Sequence, residues 1–344
     1  MAIRLTYGTR QQFRRRDRDI TIRGRVAPIT PPVRHAVYRL NDGPATPFYV
    51  EAIPDDDVDW VNGYQDSPAE LRCRELGDFA IELPVGSAAL RPGENRLDID
   101  VEDAAGQTAR ADMLFIWDPT PPSLPLDLRD LSRFDDVQAV GQVINGAFDL
   151  DRDQNLIRSR APVDPDAFII LGGMHGSQEA TYAVRFTDFT GVKWLGLADF
   201  FAGMEEGTPP RGIKVGWSSA GMATLNPRGE ARSFIAWGDH SGAAEEWVVV
   251  TDPPKRFAVN RQQRYRVRHQ VLFQSGITTV RFRIWPEAGT EPEDWLVQET
   301  DRDIPDHLPR HKRAAFGLFQ HSGMPIEWSD ILVTALDPGQ DLQS

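Results

Sequence analysis

The stretch Tyr265–Trp295, YRVRHQVLFQSGITTVRFRIWPEAGTEPEDW, holds two alternating segments, a glycine-containing turn and an exit closed by a tryptophan. Successive side chains of a strand point to opposite faces, so Tyr265, Val267 and His269 share one face while Arg264, Arg266 and Arg268 share the other. In the second segment Val280, Phe282 and Ile284 oppose Arg281 and Arg283. The turn QSGITT, in which Gly276 can take a positive φ, reverses the chain and brings the two arginine rows together. The expectation is one antiparallel hairpin of a sandwich, apolar on one side and arginine-lined on the other. The arginines have two readings: they recognise the carboxylates or sulfates of an anionic polysaccharide, or they meet solvent and the protein's own acids.

Outward from the hairpin, the same period-2 pattern recurs with turn residues between segments. Before it run AFIILGG, ATYAVRFTDF, KWLGLADFFAG, GIKVGWSS, SFIAWGD and EEWVVVT, and after it AAFGLFQHSG and IEWSDILVTAL. VQAVGQVINGAFDL, from position 137, is also read as strand. Helical periodicity is nearly absent, which argues for a large antiparallel sandwich or jelly roll over residues 136–344. Nearer the N-terminus, DITIRGRV, HAVYRL, PFYVEAI, GDFAIELPV and RLDIDVE read as short antiparallel strands of a separate domain, 1–117. Residues 118–135 form a proline-rich linker, since proline fixes φ and removes a backbone donor. Leu124, Leu126, Leu128 and Leu131 are placed to pin it to a surface.

The totals narrow the function classes. A chain of 344 residues with 40% hydrophobic and 26% charged residues is long enough for two cores. No run approaches the roughly 20 apolar residues that span a bilayer, so no membrane insertion is expected. A net charge of −13 argues against nucleic acid as a partner, because that affinity needs a basic surface. Cys73 is the only cysteine, which excludes an intrachain disulfide and a cysteine-based zinc cluster. The N-terminal MAIRLTYGTRQQFRRRDRD has no apolar run of leader length. A cytoplasmic location follows if that terminus is native, and an extracellular one if a leader has been removed. Oligomeric state is not readable from the sequence.

Two resemblances add to this reading. LRPGENRLDIDVEDAAGQTAR is similar to the closing hairpin of bacterial immunoglobulin-like and fibronectin-type modules, a likeness covering about residues 18–117. Such modules act as spacers or docking surfaces. From 136 to 337 the order of segments resembles the concanavalin A-like, laminin-G-like jelly roll, above all in WPEAGTEPEDW followed by a Gly-Leu strand and a final Asp-Ile-Leu-Val strand. The fold class expected is therefore all-β, an immunoglobulin-like β-sandwich followed by a larger concanavalin A-like antiparallel jelly roll.

The second resemblance implies carbohydrate as the partner, bound by a lectin-like surface. A sugar ring offers an apolar face to aromatic side chains and hydroxyls to Asp, Asn, Arg and His. Trp194, Trp217, Trp237 and Trp247 lie on four central segments, and with His321 they are the expected ligand-binding residues. The alternative is a glycan-cleaving enzyme, a glycoside hydrolase or lyase, using His175, His240 and Asp239 with a glutamate such as Glu179 or Glu245, because imidazole titrates near neutrality. The Glu-x-Asp-x-x-Glu strand of the laminarinase-like members is missing. A third reading is a structural or adhesion module with no sugar site. No cofactor is required. Asp149, Asp151, Asp153 and Asn155 alternate oxygen ligands as calcium loops do but lack the EF-hand glycine and distal glutamate, so Ca2+ is offered for that loop against a solvated acidic turn.

Overall fold

The computed structural model describes residues 1–52, 72–73, 75–160, 166–189, 194–204, 217–238, 247–321, 323 and 325–337. The chain is all-β, its one helix among the described residues being a single turn, α1 (Val137–Val140), capped by the Asp136 side chain on the Ala139 N–H. That turn falls where the sequence reads as strand. The pattern VQAV is too short to separate the two, and the Asp136 cap decides it.

The N-terminal sandwich has a three-stranded sheet, β1 (Ala2–Leu5), β3 (Asp19–Ala27), β6 (Asp78–Pro84). It faces a five-stranded one ordered β2 (Arg10–Arg14), β8 (Thr108–Asp118), β7 (Gly93–Asp103), β4 (Val33–Leu40), β5 (Thr46–Pro47). Ile20, Ile22, Ile81, Leu97, Ile99, Met113 and Phe115 fill the core. The expectation of antiparallel pairing throughout needs one correction. β2 runs parallel to β8, Arg10 opposite Leu114 through Arg14 opposite Asp118. The two strands are far apart in sequence, so no tight turn forces them antiparallel.

The larger sandwich has two sheets of eight strands each, a jelly roll in which the chain crosses repeatedly between layers. The front sheet is ordered β10 (Gln142–Asn145), β13 (Ala167–Ile170), β23 (Ala315–Gln320), β15 (Ala198–Met204), β16 (Trp217–Asn226), β17 (Glu230–Trp237), β18 (Trp247–Val250), with β19 (Lys255–Arg256) also on β17. The back sheet is ordered β11 (Phe148–Asp151), β12 (Leu156–Ser159), β24 (Ile326–Ala335), β14 (Gln178–Phe186), β20 (Arg264–Gln274), β21 (Ile277–Pro286), β22 (Val297–Thr300). Linker strand β9 (Leu126–Leu128) adds to β24, and Leu128 and Leu131 are buried. The proline-rich segment therefore contributes a strand to this sandwich.

Between the sheets Tyr182, Val184, Tyr265, Val267, Phe282, Ile284 and Trp328 of the back sheet meet Ile169, Phe200, Leu225, Phe316 and Leu318 of the front sheet. Each fully buried large side chain contributes about 1.5–3 kcal/mol of transfer free energy. The Trp328 indole also donates to the Leu197 carbonyl at 3.0 Å, tying the layers together.

The hairpin forms as its alternation predicts. β20 and β21 pair from Tyr265 opposite Pro286 to Gln274 opposite Ile277, which leaves a two-residue loop. Both loop residues, Ser275 at φ 51° and Gly276 at φ 75°, are left-handed, as a type I′ turn requires. His269 points inward and is buried against Phe200, ring centroids 4.7 Å apart.

The two sandwiches are joined by buried polar contacts. The buried Arg16 guanidinium donates to the carbonyls of Leu171 (3.2 Å) and Val140 (2.8 Å), and burial lowers its pKa to about 9. The Gln142 amide donates to the Asp19 carbonyl at 2.9 Å, and the Tyr7 hydroxyl accepts from the Phe148 N–H at 2.9 Å.

Candidate functional site

The arginine-lined face of the hairpin is the outer surface of the back sheet, and its charges are matched within the chain. Arg268 pairs with Glu179 and, at 2.6 Å, with Glu291, which also takes Arg283 at 2.6 Å. Arg264 and Arg266 share Asp330 at 2.6 and 3.0 Å. The exit loop PEAGTEPEDW supplies Glu291 and lays Trp295 over Arg281 and Arg283, 4.4 and 4.6 Å from its ring centroid. Of the two readings of this face, internal acid partners are what the structure shows.

The outer face of the front sheet is built differently. Cα partners in a ladder carry side chains on the same face, so Ile170, Gly317, Asp199, Met222 and Phe234 form one row across five strands. One neighbouring row is Ala315, Phe201 and Ser219, and the other includes Thr224 and Arg232. Phe168, Ile170, Phe201, Trp217, Met222, Ala315 and Phe319 make a cluster separate from the inter-sheet core. Trp217 is 1% exposed, and Phe168 and Phe319 lie 5.3 and 5.5 Å from its ring. Gly317 is required here, since a Cβ on it would stand 2.6 Å from the Phe168 ring and 2.7 Å from the Ile169 carbonyl oxygen.

Asp199 sits in this cluster with 0% exposure. Its Oδ1 accepts from the Ser219 hydroxyl at 2.5 Å, and the Trp217 indole is a second donor beside the carboxylate. Burial pushes its pKa up to about 7, against the lowering effect of the Ser219 hydroxyl and the Trp217 indole. A carboxyl so placed carries its proton near neutrality and is able to donate as well as accept.

Two strands away lies Arg232, partly buried, its guanidinium carbon 5.0 Å from the centroid of the Trp194 ring. Its buried Nε has no partner, and among the described residues no carboxylate pairs with it. Three other arginines have a buried Nε without a partner, Arg23, Arg72 and Arg283, but each engages its terminal nitrogens. Arg23 reaches the Gly146 carbonyl, Arg72 reaches Glu82, and Arg283 reaches Glu291.

The residues proposed from the sequence are scattered. Trp194 and Trp217 are on or beside the outer front face, as above. Trp237 points inward instead, its indole donating to the Pro309 carbonyl at 2.8 Å and its ring stacked on His311 at 4.6 Å. Trp247 is opposite it on edge strand β18, 37% exposed. His321 binds the buried carboxylate of Asp166 at 2.5 Å. The His175 Nε2 meets the Pro122 carbonyl at 2.7 Å, at the linker. Glu179 lies on the back sheet, bound by Arg268 and by Gln270 at 2.5 Å. Asp239, His240 and Glu245 lie outside the described residues.

In the acidic loop Asp149 pairs with Arg160 at 2.7 Å, and the Asp151 carboxylate accepts from the Gln154 N–H at 2.9 Å. Asn155 joins the linker through the Leu131 N–H and the Arg129 carbonyl, 2.7 Å each, while Asp153 is exposed. Among the described residues no three His, Cys, Asp or Glu side chains are grouped so as to hold a metal ion.

Sequence reasoning missed Asp199, Ser219 and Arg232. One signal was present: in LGLADFFAG the aspartate breaks an otherwise apolar strand.

No protein-family model matches the sequence, and no curated protein matches it. Among solved structures the chain is similar to carbohydrate-binding module CBM66 from Bacillus subtilis, at 11% identity over 57% of this chain and 96% of that one, TM-score 0.37. It is also similar to lectin UEA-II complexed with galactose, at 10% identity over 60% and 97%, TM-score 0.34. A third is a bifunctional GH43-CE protein of Bacteroides eggerthii, at 10% identity over 76% and 38%, TM-score 0.36.

Proposed function

We propose that the protein binds carbohydrate on the outer face of its front sheet, with the N-terminal sandwich, an immunoglobulin-type module, packed against it as an accessory. The observation that carries this reading is that aromatic side chains there border the partly exposed Arg232, whose guanidinium stacks on Trp194 and whose Nε has no hydrogen-bond partner among the described residues. A buried polar atom without a partner is unfavourable by about 1–3 kcal/mol. A hydroxyl-rich ligand meets that need while its apolar face covers aromatic rings. Trp194, Arg232 and Phe234 form the partly exposed side of the surface. On the back sheet each arginine of the hairpin is engaged by a side chain of the protein.

A glycan array probed with the full chain tests this. Retention of at least one oligosaccharide, weakened at least about tenfold in Arg232→Gln, is expected. No binding to any neutral or acidic glycan rejects the proposal.

One observation favours glycan cleavage as a second reading. Asp199 is fully buried and its pKa is raised to about 7, the direction that suits a general acid. New reducing ends or unsaturated products from a polysaccharide panel, lost in Asp199→Asn, would establish it. Products persisting unchanged in that variant would remove Asp199 from the chemistry.

A further inference from the structure

We propose that the Arg232–Trp194 pair is the subsite for a carboxylate-bearing sugar unit, so that the ligand is a uronic acid-containing glycan. This rests on the carbohydrate reading above and gives that site its chemical class.

Three features of the pair point there. The stacking on Trp194 engages one face of the guanidinium and leaves its in-plane N–H groups for a planar acceptor. Next, those donors have no acid of the chain to bind among the described residues, although the protein has 51 acidic residues against 38 basic ones. The back sheet shows what this chain does with arginines on a folded face: Arg264, Arg266, Arg268 and Arg283 each hold a carboxylate. Arg232 stands apart from these in having no carboxylate partner among the described residues. Finally, the two terminal nitrogens of a guanidinium form a fork that matches the two oxygens of a carboxylate. The floor from Arg232 toward Asp199 is apolar, with Phe234 and Met222 between them. Strand spacing and rise put the Cα atoms of Arg232 and Asp199 about 12 Å apart.

Titration calorimetry of the full chain with oligogalacturonate and with its methyl ester tests the assignment, since the ester keeps the sugar and removes the charge. The acid is expected to bind at least about tenfold tighter than the ester, and Arg232→Gln to abolish that difference. Arg232→Lys, which retains the charge but not the fork, is expected to recover only part of it. Should the glutamine variant fold poorly, salt reports on the unaltered protein. Affinity for the acid falls between about 0.05 and 0.5 M salt while that for the ester stays level. Equal binding of acid and ester, or a preference kept in Arg232→Gln, overturns the proposal. If neutral glycans bind and uronates do not, this inference alone fails. If no glycan of either kind binds, the carbohydrate reading fails with it.

Discussion

The outer faces of the two sheets of the jelly roll differ in how their charges are placed. On the back sheet every arginine of the long hairpin has an internal partner: Glu179, Glu287, Glu291 and Asp330 serve Arg264, Arg266, Arg268 and Arg283, and Gln270 serves Arg281 at 2.6 Å. On the front sheet, among the described residues, Asp199 is buried with no cation beside it and Arg232 is stacked on an indole with no carboxylate partner. The first arrangement meets the charges of the sheet within the chain. The second leaves a cation for the proposed ligand to meet. A row of arginines in a sequence therefore does not by itself mark a binding surface, since folding can supply each with a partner from the chain.

The contrast is broken or sharpened by three measurements. The largest effect concerns Asp199. With a folded pKa of about 7 against an ordinary 3.8, the native state holds a proton that the unfolded chain has released over that interval. The stability this gives is complete below about pH 4 and lost as pH rises through about 7, at most about 1.4 kcal/mol per pH unit. Urea denaturation of wild type and Asp199→Asn across pH 4–8 isolates it, because other groups cancel in the difference. The wild type should lose stability relative to the variant as pH rises, and parallel curves would show that Asp199 is not held in an apolar site.

Next comes Glu327 on the back sheet, buried and shared by Arg158, at 2.6 Å, and Arg185. Glu327→Ala leaves two guanidinium groups without their anion and should cost about 3 kcal/mol in denaturant midpoint analysis. Removing an acid thus acts with opposite sign on the two sheets near neutral pH. If both variants were destabilised alike, the distinction drawn between the faces would be wrong.

The smallest effect is expected at Arg264, whose partners Glu287 and Asp330 are themselves about a third exposed. Arg264→Gln should change stability by less than about 1 kcal/mol and leave glycan binding at the wild-type level. Lost binding in that variant would return the arginine face to consideration as the site.

Much of the fold was legible because its causes are local. Alternation of period 2 orients Tyr265, Val267, Phe282 and Ile284 inward whatever surrounds them, and Ser275-Gly276 takes the left-handed pair of conformations that a two-residue turn demands. Two local details escaped. Val137–Val140 is too short for its pattern to tell helix from strand, and the parallel register of β2 on β8 joins segments about a hundred residues apart.

The site was much less legible. Tryptophans were candidates by residue type, yet an indole on a strand points inward or outward according to register, so Trp217 lies on the outer face while Trp237 is locked to Pro309 within the sandwich. Hydrogen-bond partners are less readable still. Glu179 meets an arginine 89 positions away and Glu327 one 142 positions away, and only the folded sheet brings them together. By itself the sequence determined a mostly antiparallel, two-sandwich chain with an arginine-rich hairpin, since strand period and turn conformation are short-range properties. The tertiary structure decided which charges are matched and which are left open, because a partner, or its absence, depends on residues that only folding makes neighbours.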